Sequence, residues 1–168
     1  EGLLFHPYLL GELTPYQDEA LRGSFTGIRS FHTKAHFNRA VLEGIAYSLK
    51  DCLNTFRKDG VSIQKASIIG GGAKGALWRQ IVADMLDIPL QKMQRDDSSL
   101  GSAMLAGVAC GVFPDYEDSV KRCVRPDCIN TPNPENVRKY EEGFVWYRKI
   151  HDVLAEVYHE RSQKMAGR

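Results

Sequence analysis

The chain has 168 residues, of which 43% are hydrophobic and 26% charged, so its composition is that of a folded domain and excludes disordered, collagen-like and coiled-coil chains. Its 22 basic and 21 acidic residues are interspersed and leave a net charge of +1, which argues against nucleic-acid or membrane binding through bulk charge. No apolar stretch is long enough to span a bilayer and no signal-peptide pattern is present, so we expect a cytoplasmic protein.

The first part of the chain predicts an extended region followed by a long helix. Residues 2–28 are rich in Gly, Pro and Thr and lack a helical period, which indicates an ordered loop with short strands. Thr33 is placed to cap a helix over 34–58, and Gly60 is placed to end it. The apolar face of that helix has spacings of three and four: Phe37, Val41, Gly44, Ile45, Leu49, Cys52 and Phe56.

The middle of the chain alternates short strands with helices. A strand is predicted around 67–69, a helix over 76–86 and a second strand within 88–94. A third helix starts at Ser98 or Ser99 and runs to Gly111; its small residues allow a close approach to another backbone, either for packing or for a ligand. This alternation predicts an α/β domain with parallel strands.

The last part predicts a polar connection and one long helix. Residues 113–136 carry prolines and charges and no clear period. Within them, Asn133 is placed as the cap and Pro134 as the first residue of the last helix. Its aromatic stripe is predicted to lie in the core: Val137, Tyr140, Phe144, Tyr147, Leu154 and Tyr158. Residues 162–168 are predicted to be a disordered tail.

Residue types that bind metals or form disulfides show no informative grouping. The four cysteines contain no C-x-x-C pair and are expected to be reduced thiols used in packing. His32 and His36 are four residues apart, a spacing that metal ligands on a helix also have, but no third ligand of fitting spacing is near. We therefore expect no metal site.

The candidate binding feature is the glycine turn, Gly70–Lys74, between the predicted strand and helix. Backbone N–H groups at such a turn, with the positive end of a helix behind them, form an anion site, and glycine lets a phosphate approach without meeting a Cβ. Gly70, Gly71 and Gly72 therefore favour a phosphate-bearing ligand. The alternative is a turn that needs glycine only for its dihedral angles. Lys74 either neutralises a phosphate or is solvated.

The letters of the turn also fit a dinucleotide fingerprint. Gly70, Gly72 and Gly75 stand in the order G-x-G-x-x-G, and Asp96 or Asp97 lies at about the distance of the acid that would hold a ribose. Against this interpretation, a long helix and a long loop precede the turn, whereas the fingerprint opens the first βαβ unit of its domain. A P-loop is excluded because no G-x-x-x-x-G-K-[ST] occurs.

Four segments together resemble the carboxy-terminal half of the FGGY family of carbohydrate kinases, in the order of that family. They are PYLLGELTPYQDEALRGSFTGI at 7–28, GSFTGIRSFHTKAHFNRAVLE at 23–43, IIGGGAKGALWRQIVADML at 68–86 and SSLGSAMLAGVACG at 98–111. Leu13 stands where the family usually has Arg, and Gly75 where a small polar residue is common. Within the family the motifs look closest to the xylulokinases.

The resemblance implies an α/β fold that is part of the second domain of the actin/hexokinase-like (ribonuclease H-like) ATPase fold, helix-rich in this fragment. Residues 1–161 would be an incomplete carboxy-terminal kinase domain, lacking upstream strands and the amino-terminal sugar-binding domain. The glycine turn would be the ATP site, with the backbone of Gly70, Gly71, Gly72 and Ala73 near the α-phosphate and the nucleotide sugar, Lys74 following, and Mg²⁺ accompanying ATP. Asp96 and Asp97 would then be incidental.

The resemblance also implies which parts of the reaction are missing. The family's catalytic Asp lies in a glycine-rich segment upstream, so no residue of this chain is expected to be catalytic and the chain alone is expected to be inactive. The whole protein would phosphorylate a sugar or polyol bound by the missing domain, with D-xylulose or a related pentulose favoured. Since only about two strands of a larger sheet are predicted, we expect self-association, for example as a homodimer, or marginal stability. An NAD-binding oxidoreductase domain and a non-catalytic interaction module remain as alternatives.

Overall fold

The structure is a computed structural model that describes residues 1–95 and 98–166. Its regular elements, in chain order, are β1 (Leu4–His6), β2 (Ser24–Thr26), α1 (Lys34–Lys58), β3 (Ala66–Ile68), a short 3₁₀ turn (Gly71–Lys74), α2 (Ala76–Leu86), β4 (Leu90–Met93), α3 (Ser98–Ala109), α4 (Tyr116–Cys123), β5 (Pro126–Asn130) and α5 (Pro134–Ala166). They divide into two compact units: a first unit of Glu1–Ser62, Asp84–Leu86 and Asn133–Arg168, and a second unit of Ile63–Ala83 and Asp87–Pro132.

The first unit packs the β1–β2 hairpin and the helices α1 and α5 around an aromatic core. Gly44 of α1 allows a close contact with a strand, because a Cβ there would lie only 2.1 Å from the backbone carbonyl oxygen of Phe5 in β1. Tyr147 of α5 is fully buried, and its ring stacks on His6 and on Tyr47 at centroid distances of 4.4 and 5.0 Å. The predicted core role of the aromatic stripe is therefore confirmed at Tyr147, and also at Tyr140, which is 8% exposed.

Helix ends in the first unit follow local signals. Thr33 is the N-cap of α1, and its backbone N–H donates to Nδ1 of His36 at 3.0 Å. Gly60, with φ of +80°, follows the last turn of α1. At the start of α5 the side-chain oxygen of Asn133 accepts from the backbone N–H of Glu135 at 2.9 Å. The predicted bounds of α1 and the predicted start of α5 are confirmed.

The second unit is built on a three-stranded sheet in the order β3-β4-β5. The strands β3 and β4 are parallel, with Ala66 opposite Leu90, which confirms the predicted strand pairing. The antiparallel strand β5 was not predicted, so the expectation of about two strands is wrong for this sheet. The β4–β5 register shifts between Lys92 and Met93.

The segment 113–136 is more regular than its sequence suggests, since it holds α4 and β5. Helix α4 is only eight residues long, mostly polar, and buries only Ser119, so its apolar residues are too few to indicate a helix in the sequence. Its start is nevertheless capped, because the side chain of Asp115 accepts from the backbone N–H of Asp118 at 2.8 Å.

The last helix extends beyond the residue at which the sequence predicts a tail. Helix α5 continues to Ala166, so residues 162–166 of the predicted disordered tail are helical in the structure, where Lys164 and Glu160 form an (i, i+4) ion pair. Residues 167–168 lie outside the described residues. No helix within the described ranges combines the length and apolar character needed to cross a membrane.

Candidate functional site

The glycine turn lies where the chain leaves the carboxyl end of β3 and enters α2. Gly70 follows the strand with φ of +77° and ψ of −164°, and residues 71–74 form the 3₁₀ turn. Gly75 is then the N-cap of α2, which begins at Ala76. In open α/β sheets, ligands bind outside the carboxyl ends of the strands, and a helix N-terminus attracts anions. The turn therefore lies, as predicted, after the end of a strand and before the start of a helix.

The three consecutive glycines are needed for different reasons. Gly70 has a positive φ, which favours glycine whatever surrounds it. A Cβ on Gly72 would come within 3.1 Å of Nε1 of Trp78, so packing inside the turn restricts that position. Gly71 has neither constraint: its φ lies outside the left-handed region, and a Cβ there would meet no described atom within 4 Å. The need for glycine dihedral angles thus explains Gly70 but not Gly71, which faces open space.

Ala73 and Lys74 contribute to the turn in opposite ways. Ala73 is fully buried, and its backbone N–H donates to the carbonyl of Gly70 at 3.1 Å, which closes the turn. Since the whole residue is buried and its carbonyl accepts from Arg79, Ala73 supports the turn from inside and offers no group to a ligand. Lys74 is exposed at the last position of the turn, where an ammonium group can approach a bound anion.

Side chains of α2 and β5 hold the turn from behind. Arg79 of α2 donates from Nη1 to the carbonyl oxygen of Ala73 at 2.6 Å and from Nε to Oδ1 of Asn130 at 3.1 Å. Asn130 in turn donates from Nδ2 to Oε1 of Gln80 at 2.9 Å, and Nε2 of Gln80 donates to the carbonyl of Thr131 at the same distance. In the sequence, Arg79 and Gln80 belong to a segment that resembles the family, but no pattern predicts that they support the turn. Asn130 carries no sequence signal, since it lies 51 residues from Arg79.

The other residues singled out from the sequence do not join this site. His36 accepts at Nδ1 from the backbone of Thr33 and places Nε2 2.6 Å from a carboxylate oxygen of Glu1, while Nδ1 of His32 accepts from the backbone N–H of Arg29 at 3.1 Å. The His36–Thr33 contact caps the start of α1, and the His32–Arg29 contact lies in the turn before it. Asp96 and Asp97, which the dinucleotide alternative needs, lie outside the described residues.

A concave cleft of about 500 Å³ occupies a different place, in the first unit, and no residue of the glycine turn lines it. On its wall, Nη2 of Arg39 donates to the hydroxyl of Tyr140 at 2.6 Å, and that hydroxyl donates to Glu43 at 3.1 Å. Burial, with the Glu43 carboxylate adding to it, raises the pKa of Tyr140 to about 12. The polar groups on this wall are bonded to one another, so the cleft is a weaker candidate site than the turn.

Comparisons with known proteins match most of the chain. The family model described as the FGGY family of carbohydrate kinases, C-terminal domain, matches residues 1–110. A curated xylulose kinase from Staphylococcus epidermidis is 42% identical over 151 residues, which are 89% of this chain and 30% of that protein. Among solved structures, a ligand-bound xylulose kinase from Lactobacillus acidophilus has a TM-score of 0.87 at 32% identity and covers 94% of this chain and 32% of that chain. A gluconate kinase from the same organism has a TM-score of 0.86 at 32% identity, covering 95% of this chain and 32% of its own.

Proposed function

Because this chain belongs to the FGGY family of carbohydrate kinases, as its C-terminal domain, we propose that the glycine turn binds ATP for phosphoryl transfer to a sugar or polyol hydroxyl. The fold is correspondingly that of the actin/hexokinase-like sugar kinases, and the helix-rich α/β character predicted from the sequence is confirmed. The observation that carries the proposal is Gly71, a glycine that neither backbone strain nor packing within the described residues explains. A phosphate that approaches the backbone closely does explain it.

The proposed roles of the turn residues are those that the family resemblance implies, and the geometry of the turn supports them. Backbone groups of Gly70, Gly71 and Gly72 lie near the α-phosphate and the nucleotide sugar, with the buried Ala73 supporting them and the start of α2 supplying a positive end behind them. Lys74 screens the phosphate charge. This chain's contribution to the reaction is therefore to bind and orient the nucleotide, which lowers the barrier through positioning.

Magnesium would reach this site together with ATP. Among the residues that the structure describes, no group of three or more His, Cys, Asp or Glu side chains could hold a metal ion. Mg²⁺ in kinases is bound largely through substrate phosphates, with few protein carboxylates. When bound, it neutralises charge on the transferred phosphoryl group.

The chain spans about a third of the length of the relatives it matches, so the rest of the reaction is assigned to the rest of the protein. We propose that the catalytic base and the sugar site lie there and that this chain alone does not transfer phosphate. D-Xylulose or a related pentulose is the favoured acceptor of the whole protein, because the xylulose kinases of Staphylococcus epidermidis and Bacillus subtilis are 42% and 38% identical to this chain.

Two other functions make different predictions for the same turn. An NAD-binding oxidoreductase domain would bind NADH through the turn and Asp96, but the family of the chain does not favour it. A non-catalytic interaction module would keep the turn and bind no nucleotide.

The test is calorimetric titration of the chain with MgATP and, separately, with NADH. We expect MgATP to bind the wild type, and Gly71→Ala to weaken it by roughly tenfold, with Gly71→Val weaker still, because each added carbon occupies the space that the phosphate needs. Thermal unfolding of Gly71→Ala without nucleotide should match the wild type, since its Cβ meets no described atom. Binding of NADH but not MgATP, or equal MgATP affinity of all three proteins, would refute the proposal.

A further inference from the structure

Arg79 occupies an unusual place for a cation. It is the fourth residue of α2, and the first turn of that helix contains no acidic residue. A positive charge near a helix N-terminus is opposed by the helix dipole. An arginine here therefore needs a compensating role, such as a bound anion, a specific set of acceptors, or both.

The acceptors of Arg79 connect the turn to the sheet. Nη1 bonds the carbonyl of Ala73 at 2.6 Å and Nε bonds Oδ1 of Asn130 at 3.1 Å, so one planar guanidinium links the glycine turn with the end of β5. Hydrogen bonds from a charged donor to two fixed acceptors are stronger and more directional than neutral ones. Because the peptide bond is planar, holding the Ala73 carbonyl also fixes the plane that contains the N–H of Lys74.

Asn130 is itself held in one orientation. Its Nδ2 donates to Gln80 at 2.9 Å, which leaves Oδ1 as the acceptor for Arg79. Gln80 is anchored in turn to the backbone of Thr131 at 2.9 Å. The amide of Asn130 cannot flip without losing both of its bonds, so the guanidinium has a fixed support.

We propose that Arg79 is a positioning residue for the nucleotide: through the Ala73 carbonyl and Asn130 it sets the shape of the glycine turn, and it adds positive charge behind it. This inference rests on the proposed function, since it needs a nucleotide at the turn. It assigns Arg79 no contact with substrate. Asn130 is the second residue of this hydrogen-bond network, because it holds the guanidinium of Arg79 in place, although it belongs to no glycine motif.

The experiment compares MgATP affinity in wild type, Arg79→Met, Arg79→Lys, Asn130→Ala and the double variant Arg79→Met/Asn130→Ala. We expect a loss of roughly tenfold or more in Arg79→Met and a smaller loss in Arg79→Lys, which keeps the charge and one donor. Asn130→Ala leaves the charge of the chain unchanged and should still weaken binding. The double variant should be little worse than Arg79→Met, because both changes break one network.

The matched control is Arg122→Met on α4, which removes an equal charge from the chain. Arg122 is exposed and forms an (i, i+4) ion pair with Asp118 on the same helix. It should bind MgATP as the wild type does. If Arg79→Met does not fold, the comparison of Asn130→Ala and Arg79→Lys with the wild type decides the question.

The outcomes separate the two proposals. If the wild type binds MgATP and the Arg79 and Asn130 variants bind it equally well, the positioning role is wrong and the nucleotide site stands. An equal loss in Arg122→Met assigns the effect to overall charge and also overturns the positioning role. If the folded wild type does not bind MgATP, the proposed function fails, and the role of Arg79 fails with it.

Discussion

Asp84 accepts a hydrogen bond from the backbone N–H of Asn133 and a second from Nδ2 of Asn136, each at 2.8 Å, so a buried carboxylate in the last turn of α2 receives the start of α5. The residue is 2% exposed. In the sequence, Asp84 is one of the letters that carry the family resemblance. In the structure, these two contacts stabilise the fold of the first unit.

Asp84→Ala should therefore destabilise the chain by about 2–3 kcal/mol, because it removes two charge-assisted hydrogen bonds to a buried carboxylate and leaves the N–H of Asn133 and Nδ2 of Asn136 without this acceptor. Urea unfolding followed by circular dichroism measures the change. Glu135→Ala, which removes an exposed carboxylate from the first turn of α5, should cost at most about 0.5 kcal/mol. Equal effects in the two variants would contradict the structural role of Asp84.

Two helix glycines should respond in opposite directions to replacement by alanine. Gly44→Ala places a Cβ 2.1 Å from the Phe5 carbonyl oxygen, a backbone atom that can move only with β1, and should cost about 1–3 kcal/mol. Gly101→Ala in α3 adds a Cβ that meets no described atom within 4 Å and should stabilise the chain by about 0.5–1 kcal/mol. Thermal and urea unfolding of both variants test this; a stabilising Gly44→Ala would show that β1 does not pack on α1 as described.

The stability of the chain should depend on pH through His6. This ring is 1% exposed, donates from Nε2 to the carbonyl of Tyr147 at 3.0 Å, and has its pKa lowered below 6.5, first by burial and further by His151. Between the lowered pKa and 6.5 the unfolded chain binds more protons than the folded chain, so stability is full above pH 6.5 and falls as the pH decreases below it. One group contributes a slope of at most about 1.4 kcal/mol per pH unit.

Urea unfolding at pH 8, 6.5 and 5.5 measures this dependence. The variant His6→Gln keeps a side-chain donor and should be less stable than the wild type at pH 8, with a smaller decrease towards pH 5.5. An unchanged decrease would assign the pH dependence to other groups.

Lys74 should affect nucleotide binding through charge alone. We expect Lys74→Gln to weaken MgATP binding by about 2- to 5-fold at low salt, with the difference shrinking as salt is added, because the lysine is exposed and its attraction to phosphate is screened. Lys121→Gln removes an exposed lysine of α4 that pairs with Glu117 and is the matched control. Identical affinities in these two variants would mean that Lys74 is only solvated.

Self-association remains a prediction for this chain. Exposed apolar side chains in the second unit include Ile69 and Ile129, which are 63% and 53% exposed, and β3 and β5 are the outer strands of its sheet. Sheet edges and apolar surface of this kind favour association, and we propose a homodimer as its simplest form. Sedimentation velocity at several concentrations tests it; a monomer at every concentration, with a cooperative melt, would contradict it.

Local signals account for the parts of the fold that the sequence predicts well. The bounds of α1 and α2 agree with the structure because helix-forming residues and the cap at Thr33 act over a few neighbouring positions, although Leu49 and Phe56 of the predicted apolar face of α1 are 42% and 53% exposed. The strand β5 and helix α4 were missed for the opposite reason. β5 is defined by its partner β4, and α4 is a polar helix of eight residues, too short for its apolar residues to form a clear period.

For the candidate site, the sequence alone determined the glycine turn, its place between a strand and a helix, and the resemblance to a kinase family, because backbone conformation and motif spacing are local properties. Only the tertiary structure decided that Gly71 faces open space, that Ala73 is a buried packing element, and that Arg79 is held by Asn130. These facts depend on residues up to 51 positions apart. Residues so far apart come into contact only when the strands and helices pack, so no short stretch of sequence predicts the contact.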